Sequence, residues 1–318
     1  MPLHVHYPTL ESGEFRDRLE RLLLSGVALT SGRAPVPDAV EICVGGVPTE
    51  EELGAFSNLR ALIIPWAGLP TATRELLGKY PELAVHNLHH NAAPVAEHAM
   101  ALLLAVSRHL VTADQSLRRG DWSPRYGPPR SPLLAGRDAL ILGAGAVGRR
   151  LARACEGLAL QPILIGREPR AGIHAVAELD ALLPRGEVVL VALPGTPETD
   201  GLLDADRLAC LPEGALLVNV GRATVIEERA LFDALRSGRL AGAGIDVWYR
   251  YPENEEARGS TLPSDFPFHE LDNIVMSPHR AGHGLATARL RAESLAEVLN
   301  AAARGETMPN RIDPRRGY

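Results

Sequence analysis

The chain has 318 residues, 46% hydrophobic and 23% charged, with a formal net charge of -6. That composition belongs to a folded globular protein long enough for two domains with their own cores, and its acidic balance excludes a general nucleic-acid surface. Cys43, Cys155 and Cys210 lie far apart in apolar stretches, which suits reduced thiols rather than a disulfide frame or metal site; with neither a leader pattern nor an uncharged apolar run able to span a bilayer, a soluble cytoplasmic protein is expected.

In chain order, Leu3–Tyr7 reads as a strand, Ser12–Leu24 as a helix capped by Ser12, and Ala39–Val44 and Leu59–Ile64 as further strands. Pro65-Trp66-Ala67-Gly68-Leu69-Pro70 forces a loop. A helix near Thr71–Tyr80 and a strand at Leu83–His86 complete a small α/β unit. From Pro94 to about Arg119 the pattern is one long helix, with Pro94 in its first turn and apolar residues on more than one stripe, as for a helix between two bodies. Gly120–Pro132 breaks all periodicity and reads as the crossover into a second domain.

That domain opens with Asp138-Ala-Leu-Ile-Leu142, then Gly143-x-Gly145-x-x-Gly148 with Ala146 and Val147 leading into a helix. Strand, tight turn and helix in this order are what a dinucleotide needs: Gly143 for the turn, Gly145 for close approach of a pyrophosphate, Gly148 for helix-on-strand packing. Pro162–Ile165, Glu187–Ala192, Ala215–Val220, Ala241–Asp246 and Asn273–Ser277 are continuous apolar runs alternating with helical segments, the mark of a parallel sheet covered on both faces. A last helix spans about Leu285–Ala303. The fold class is therefore α/β, two Rossmann-like domains, each a mostly parallel sheet flanked by helices, with a cleft between. Residues 1–112 plus 283–318 form the substrate domain and 113–282 the dinucleotide domain.

Ligands in open parallel sheets bind beyond the carboxyl ends of strands. Three strand ends deliver Arg222, Asp246 and His279. An arginine fork to hold a carboxylate and polarise a carbonyl, with a histidine as proton donor, suits hydride chemistry on a carbonyl acid. Asp246 either braces its turn or serves cofactor or histidine. His86, His89, His90, His98 and His109 crowd one region without a recognisable metal motif, and read as loop and interdomain polar groups.

The stretch from Gly143 through Pro278 resembles the D-isomer-specific 2-hydroxyacid dehydrogenases, which include glyoxylate, phosphoglycerate and formate dehydrogenase relatives. Leu193-Pro194-Gly-Thr-Pro-Glu-Thr199 is similar to the family's Pro-Leu-Thr-Pro-Glu-Thr loop. Leu217–Trp248 follows its central signature, and Asn91–His98 resembles the opening of its interdomain helix. The resemblance implies Arg222 as the substrate-orienting arginine, His279 as acid/base, and Trp66, Ala67, Gly68 and Asn91 as substrate-binding. By the same likeness Leu193, Pro194, Thr199, Val220, Gly221 and Asp246 approach the cofactor.

One position departs from the family. Its glutamate, five residues beyond the aspartate, pairs with the histidine; here that place holds Tyr251. A tyrosine can hydrogen-bond the imidazole but supplies no full charge, so His279 is expected to stay neutral to lower pH than in a Glu-paired site. The formate-dehydrogenase branch also carries a neutral residue there, so the resemblance implies that loss of the carboxylate does not by itself mean loss of hydride transfer.

After the second strand of this domain comes Gly166-Arg167-Glu168-Pro169-Arg170. Arg167 in the acid's place, with Arg170 behind, favours NADP; a one-residue shift would put Glu168 there and favour NAD. The expected protein is an NADP(H)-dependent oxidoreductase interconverting a small 2-keto acid and its D-2-hydroxy acid, a homodimer acting on a small molecule, without metal, membrane or nucleic acid. The alternatives are a dehydrogenase of another small anion such as formate, and a non-catalytic dinucleotide sensor.

Overall fold

The computed structural model describes residues 2–10, 12–32, 37–128 and 131–316. The first half of the chain forms β1 (Leu3–His6), α1 (Glu14–Leu22), β2 (Val27–Thr30), β3 (Ile42–Val44), α2 (Glu50–Gly54), β4 (Ala61–Ile64), α3 (Thr71–Leu77), β5 (Ala84–Asn87), α4 (Ala92–Ser107), α5 (Leu110–Arg118) and α6 (Ser123–Tyr126). Then follow β6 (Asp138–Leu142), α7 (Ala146–Gly157), β7 (Gln161–Gly166), β8 (Ile173–Ala175), α8 (Leu179–Leu182), β9 (Val188–Val191), α9 (Ala205–Cys210), β10 (Ala215–Asn219) and α10 (Glu228–Arg236). The last elements are β11 (Leu240–Ile245), β12 (Ile274–Met276), α11 (Thr287–Ala303) and β13 (Arg311–Ile312). Two compact units result, residues 1–91 with 283–318, and residues 92–282.

In the first unit the strand order is β13-β5-β4-β3-β1-β2. Its strands are parallel except β13, which runs antiparallel to β5. Val44 and Ile63 pack toward Leu19, Leu295 and Leu299 on one face, while Cys43, Leu62 and Ile64 pack toward Leu53 and Leu77 on the other. Burial on both faces explains why these strands are continuous apolar runs. The order reverses between β1 and β3.

The second unit holds a parallel seven-stranded sheet, β12-β11-β10-β9-β6-β7-β8. Leu140, Val189 and Leu217 face α10 through Leu231 and Leu235, and Ile141, Leu190 and Val218 face α4 and α7 through Leu103 and Leu151. Here the order reverses between β6 and β9. The junction at residue 91 has a packing reason: α4 lies on this sheet. A Cβ at Gly242 would meet Val106 at 2.5 Å and one at Gly244 would meet Leu102 at 2.7 Å. The alternate glycines of β11 thus open one face for a close helix.

Several local expectations are corrected. The helix read from 94 to 119 is two, because His109 adopts the left-handed conformation (φ 50) between α4 and α5. Helix α1 starts after Gly13, whose φ of 122 breaks the chain there, so Ser12 stands too early to cap it. The crossover segment contains the single turn α6; its Pro129 and Arg130 lie outside the described residues. Strands β2, β8 and β13 are edge strands without the burial on both faces that writes a continuous apolar run. No helix among the described residues is long and apolar enough to cross a membrane.

Candidate active site

At the end of β6, Gly143 has φ 116, and a Cβ there would come 2.7 Å from the Ala192 carbonyl oxygen. At Gly148 a Cβ would fall 1.7 Å from the Gly143 carbonyl oxygen, whereas at Gly145 it would meet open space. Glycine is therefore required at two positions by protein, and the third keeps a concavity clear. Gly145 is the N-cap of the 12-residue α7. The first-turn N–H groups of Ala146, Val147 and Gly148 have no intrahelical acceptor and give the end a positive dipole. A vacant glycine face in front of such groups fits a dinucleotide pyrophosphate.

Across the reversal between β6 and β9, the loop after β9 is locked by its own side chains. Thr199 Oγ1 donates to Pro194 O at 2.7 Å and accepts the Thr196 N–H at 2.9 Å. Gly221 passes so close that a Cβ would lie 2.5 Å from Leu193 O. Leu193, Pro194, Thr199, Val220 and Gly221 thus gather beside the phosphate turn. On its other side β7 pairs with β6, Ile165 opposite Leu142, and ends at Gly166, so exposed Arg167, Glu168 and Arg170 follow immediately.

Arg222 emerges just beyond β10. Buried Asn219 accepts the Gly221 N–H at 3.0 Å and donates Nδ2–H to Arg222 O at 3.0 Å, a side-chain clamp on the turn. The Arg222 stem lies over Gly195, and its Nη1 donates to Gly221 O at 2.8 Å.

Asp246, 1% exposed, accepts the Ser277 hydroxyl at 2.6 Å and the backbone N–H groups of Arg280 and Ala281, each at 3.0 Å. Both its oxygens are committed to the turn that carries His279. His279 itself has φ 51, a left-handed conformation costing about 1–2 kcal/mol for a non-glycine residue. Charge-assisted bonds of about 1.5–3 kcal/mol each offset that strain. Of the two roles open to Asp246, the geometry displays the brace.

The Tyr251 hydroxyl lies 2.7 Å from His279 Nδ1 and accepts the Trp248 N–H at 3.1 Å. Burial foremost pushes its phenol above the ordinary tyrosine range; the Trp248 N–H and the Arg222 charge oppose this, and the Asp246 charge adds to it. Arg222, Asp246, Tyr251 and His279 therefore share one rim of the second unit. In the first unit, Trp66, Ala67 and Gly68 form the loop after β4, and Asn91 directly precedes α4. Asn87 Nδ2 donates to Ala67 O at 2.7 Å, and Trp66 O accepts the Leu88 N–H at 3.3 Å.

Two supporting groups escaped the sequence reading. His98 Nε2 is 2.8 Å from Ser277 Oγ, extending the Asp246 network onto α4, and Trp248 Nε1 donates to Ser277 O at 2.8 Å. His98 and Ser277 are 179 positions apart, so spacing carried no signal. His86 Nδ1 instead meets Pro309 O at 2.7 Å.

A doubly wound sheet, a glycine turn at a helix start, and an arginine, an aspartate and a histidine at three successive strand ends define a dinucleotide-binding α/β protein. Residues 100–281 match the model of the D-isomer specific 2-hydroxyacid dehydrogenase NAD binding domain, and the chain belongs to this family. It is 32% identical over 306 residues to D-3-phosphoglycerate dehydrogenase of Mycobacterium leprae, covering 93% of this chain and 55% of that one. It is 33% identical over 226 residues to glyoxylate reductase of Korarchaeum cryptofilum, covering 69% of this chain and 65% of that one. The chain thus spans between about half and two thirds of these relatives' length. Among solved structures it is similar to a D-isomer specific 2-hydroxyacid dehydrogenase of Xanthobacter autotrophicus Py2 in complex with NADPH and MES. That match has 29% identity and a TM-score of 0.80, over 100% of this chain and 99% of that one.

Proposed function

We propose that the protein is an NADP(H)-dependent reductase of small 2-keto acids, acting in reverse as a D-2-hydroxyacid dehydrogenase. The observation that carries this is the rim where Arg222, Tyr251 and His279 meet behind the open glycine turn. Gly143, Gly145, Ala146, Val147 and Gly148 hold the pyrophosphate, with Leu193, Pro194, Thr199, Val220 and Gly221 beside it. Arg167 and Arg170 take the ribose phosphate, a reading supported by the NADPH in the Xanthobacter relative.

The bound nicotinamide supplies a hydride to the keto carbon. Arg222 pairs with the substrate carboxylate and polarises its carbonyl. His279 gives a proton from Nε2 to the developing alkoxide while Nδ1 meets the Tyr251 hydroxyl. Because a neutral imidazole would be left as imidazolate, the productive donor in reduction is imidazolium, with Nδ1–H directed at the Tyr251 oxygen. Trp66, Ala67, Gly68 and Asn91 contact the part of the substrate that does not react.

We read the protein as a cytoplasmic homodimer. Every residue of α5 is exposed or half-exposed, and the exposed side chains of Leu110, Leu117, Trp122 and Tyr126 are apolar groups that a second copy would cover. The test is glyoxylate and hydroxypyruvate reduction with NADPH and with NADH, beside formate oxidation. Turnover of a keto acid that His279→Ala abolishes, with dinucleotide binding retained, supports the reading. Binding without turnover of any of these over pH 5 to 8 would make the chain a dinucleotide sensor instead.

A further inference from the structure

The residues that leave the carboxyl ends of β1, β3, β4 and β5 in the first unit carry no charge. Segments 7–10, 45–49, 65–70 and 88–91 contain no Lys, Arg, Asp or Glu. The strand order of this sheet reverses between β1 and β3, and the crevice at such a reversal is where open parallel sheets take ligands. A cavity of about 80 Å³ lies there, lined by Pro8, Thr9, the end of β3 with the loop that follows it to Pro48, and Glu52.

Two large apolar side chains stand at its edge. Val47 is 60% exposed and Trp66 41% exposed. The indole comes so close to the neighbouring loop that a Cβ at Gly46 would fall 1.9 Å from Trp66 Cη2. Thr73 Oγ1 donates to Gly46 O at 2.7 Å, and the 65–68 loop is held through Leu88 and Asn87, so these walls are fixed before any ligand arrives.

We infer that the substrate is a 2-keto acid whose substituent is uncharged and apolar, received by Val47, Trp66 and the crevice between β1 and β3. This rests on the reductase reading. A phosphate or second carboxylate at these loops meets Glu52 and finds no cation within them, forfeiting the charge-assisted bonds that anions require. His89 and His90 do not supply one: burial foremost holds both low, His90 at about 4, with the Arg291 charge adding to the effect there. Arg291 itself is stacked on Phe15, its guanidinium carbon 4.1 Å from the ring centroid. An alkyl or aryl group, by contrast, covers exposed Val47 and indole surface.

The experiment compares kcat/KM with NADPH for 4-methyl-2-oxopentanoate, for 2-oxoglutarate, which is near it in size but ends in a carboxylate, and for phosphohydroxypyruvate, with glyoxylate as reference. The neutral branched acid is expected to exceed both anionic acids by about tenfold or more. Trp66→Ala should lower its kcat/KM mainly through KM. Val47→Arg, at an exposed position that tolerates the change, should narrow the gap by about tenfold from both directions. Either anionic acid matching the branched one in the parent protein, or ratios unmoved in both variants, overturns the inference and leaves the reductase reading intact. No turnover of any keto acid, glyoxylate included, overturns both.

Discussion

The Tyr251 hydroxyl stands 2.7 Å from His279 Nδ1 while also taking the Trp248 N–H, so the tyrosine engages the Nδ1 side of the imidazole. Its raised pKa keeps the phenol protonated at any working pH. A neutral phenol can donate to a neutral imidazole or accept from imidazolium, and it favours neither by a full charge. The bond therefore fixes ring orientation without setting protonation.

In the proposed mechanism reduction uses imidazolium, so kcat/KM should fall as pH rises through the histidine range. A carboxylate at position 251 favours the charged ring, so Tyr251→Glu is expected to carry that limb upward by about one pH unit or more. Tyr251→Phe keeps the ring contact and removes the hydrogen bond, and should lower kcat without an upward shift. Profiles of kcat/KM from pH 5 to 9 measure both. A limb that stays put in Tyr251→Glu would show that the 251 side chain does not address His279.

Asp246 should act mainly through the turn it holds. Asp246→Ala leaves the Ser277 hydroxyl and two backbone N–H groups without their acceptor, a buried loss of about 3–5 kcal/mol. His279 would then relax from its left-handed backbone. Thermal unfolding should show a clearly lowered Tm, and kcat should drop about tenfold or more even at temperatures where the variant is folded. A parent-like Tm would contradict the bracing role.

How much of this was legible beforehand depends on the range of the interaction. The parallel core strands were readable because burial on both faces writes an apolar run into consecutive residues, as in Val188–Val191. The glycine turn was readable because its backbone demands are local. Arg222, Tyr251 and His279 could be nominated as strand-end residues and by resemblance. What could not be read were pairings across the sheet: Ser277 and His98 on Asp246, or the α4 helix seated on Gly242 and Gly244. His109 was missed for a different reason, since its left-handed turn interrupts a helical pattern that the flanking residues continue on both sides.

The two glycines flanking Ala146 and Val147 make opposite predictions. At Gly148 a methyl group meets the Gly143 carbonyl at 1.7 Å, so Gly148→Ala should destabilise the second unit by about 3 kcal/mol, the upper end for overpacking. At Gly145 the space is open and the backbone, φ -80 and ψ -161, suits alanine. Gly145→Ala should keep stability within about 0.5 kcal/mol yet weaken dinucleotide binding about tenfold, since the methyl would stand in the proposed path of the pyrophosphate. Denaturation curves paired with fluorescence titration of NADPH separate the two. A Gly145→Ala protein that binds NADPH as tightly as the parent would remove the phosphate from this turn.

Cofactor choice turns on which side chain reaches the ribose from the end of β7. Gly166 is the last strand residue, and Arg167 follows it, with Glu168 next. If Arg167 pairs with a 2′-phosphate, Arg167→Ala loses a charge-assisted contact that only NADPH can make, raising the NADPH KM about tenfold or more while leaving that for NADH within about twofold. Arg170→Ala should act in the same direction and more weakly, because its backbone is tied to Ile173 through bonds of 3.0 and 2.8 Å and its side chain starts farther from the strand end. If instead Glu168 bonds the ribose hydroxyls, Arg167→Ala leaves the NADPH KM unchanged and Glu168→Gln raises that of NADH. Steady-state kinetics with both dinucleotides on these three variants distinguish the arrangements, since a phosphate contact and a hydroxyl contact change opposite members of the pair.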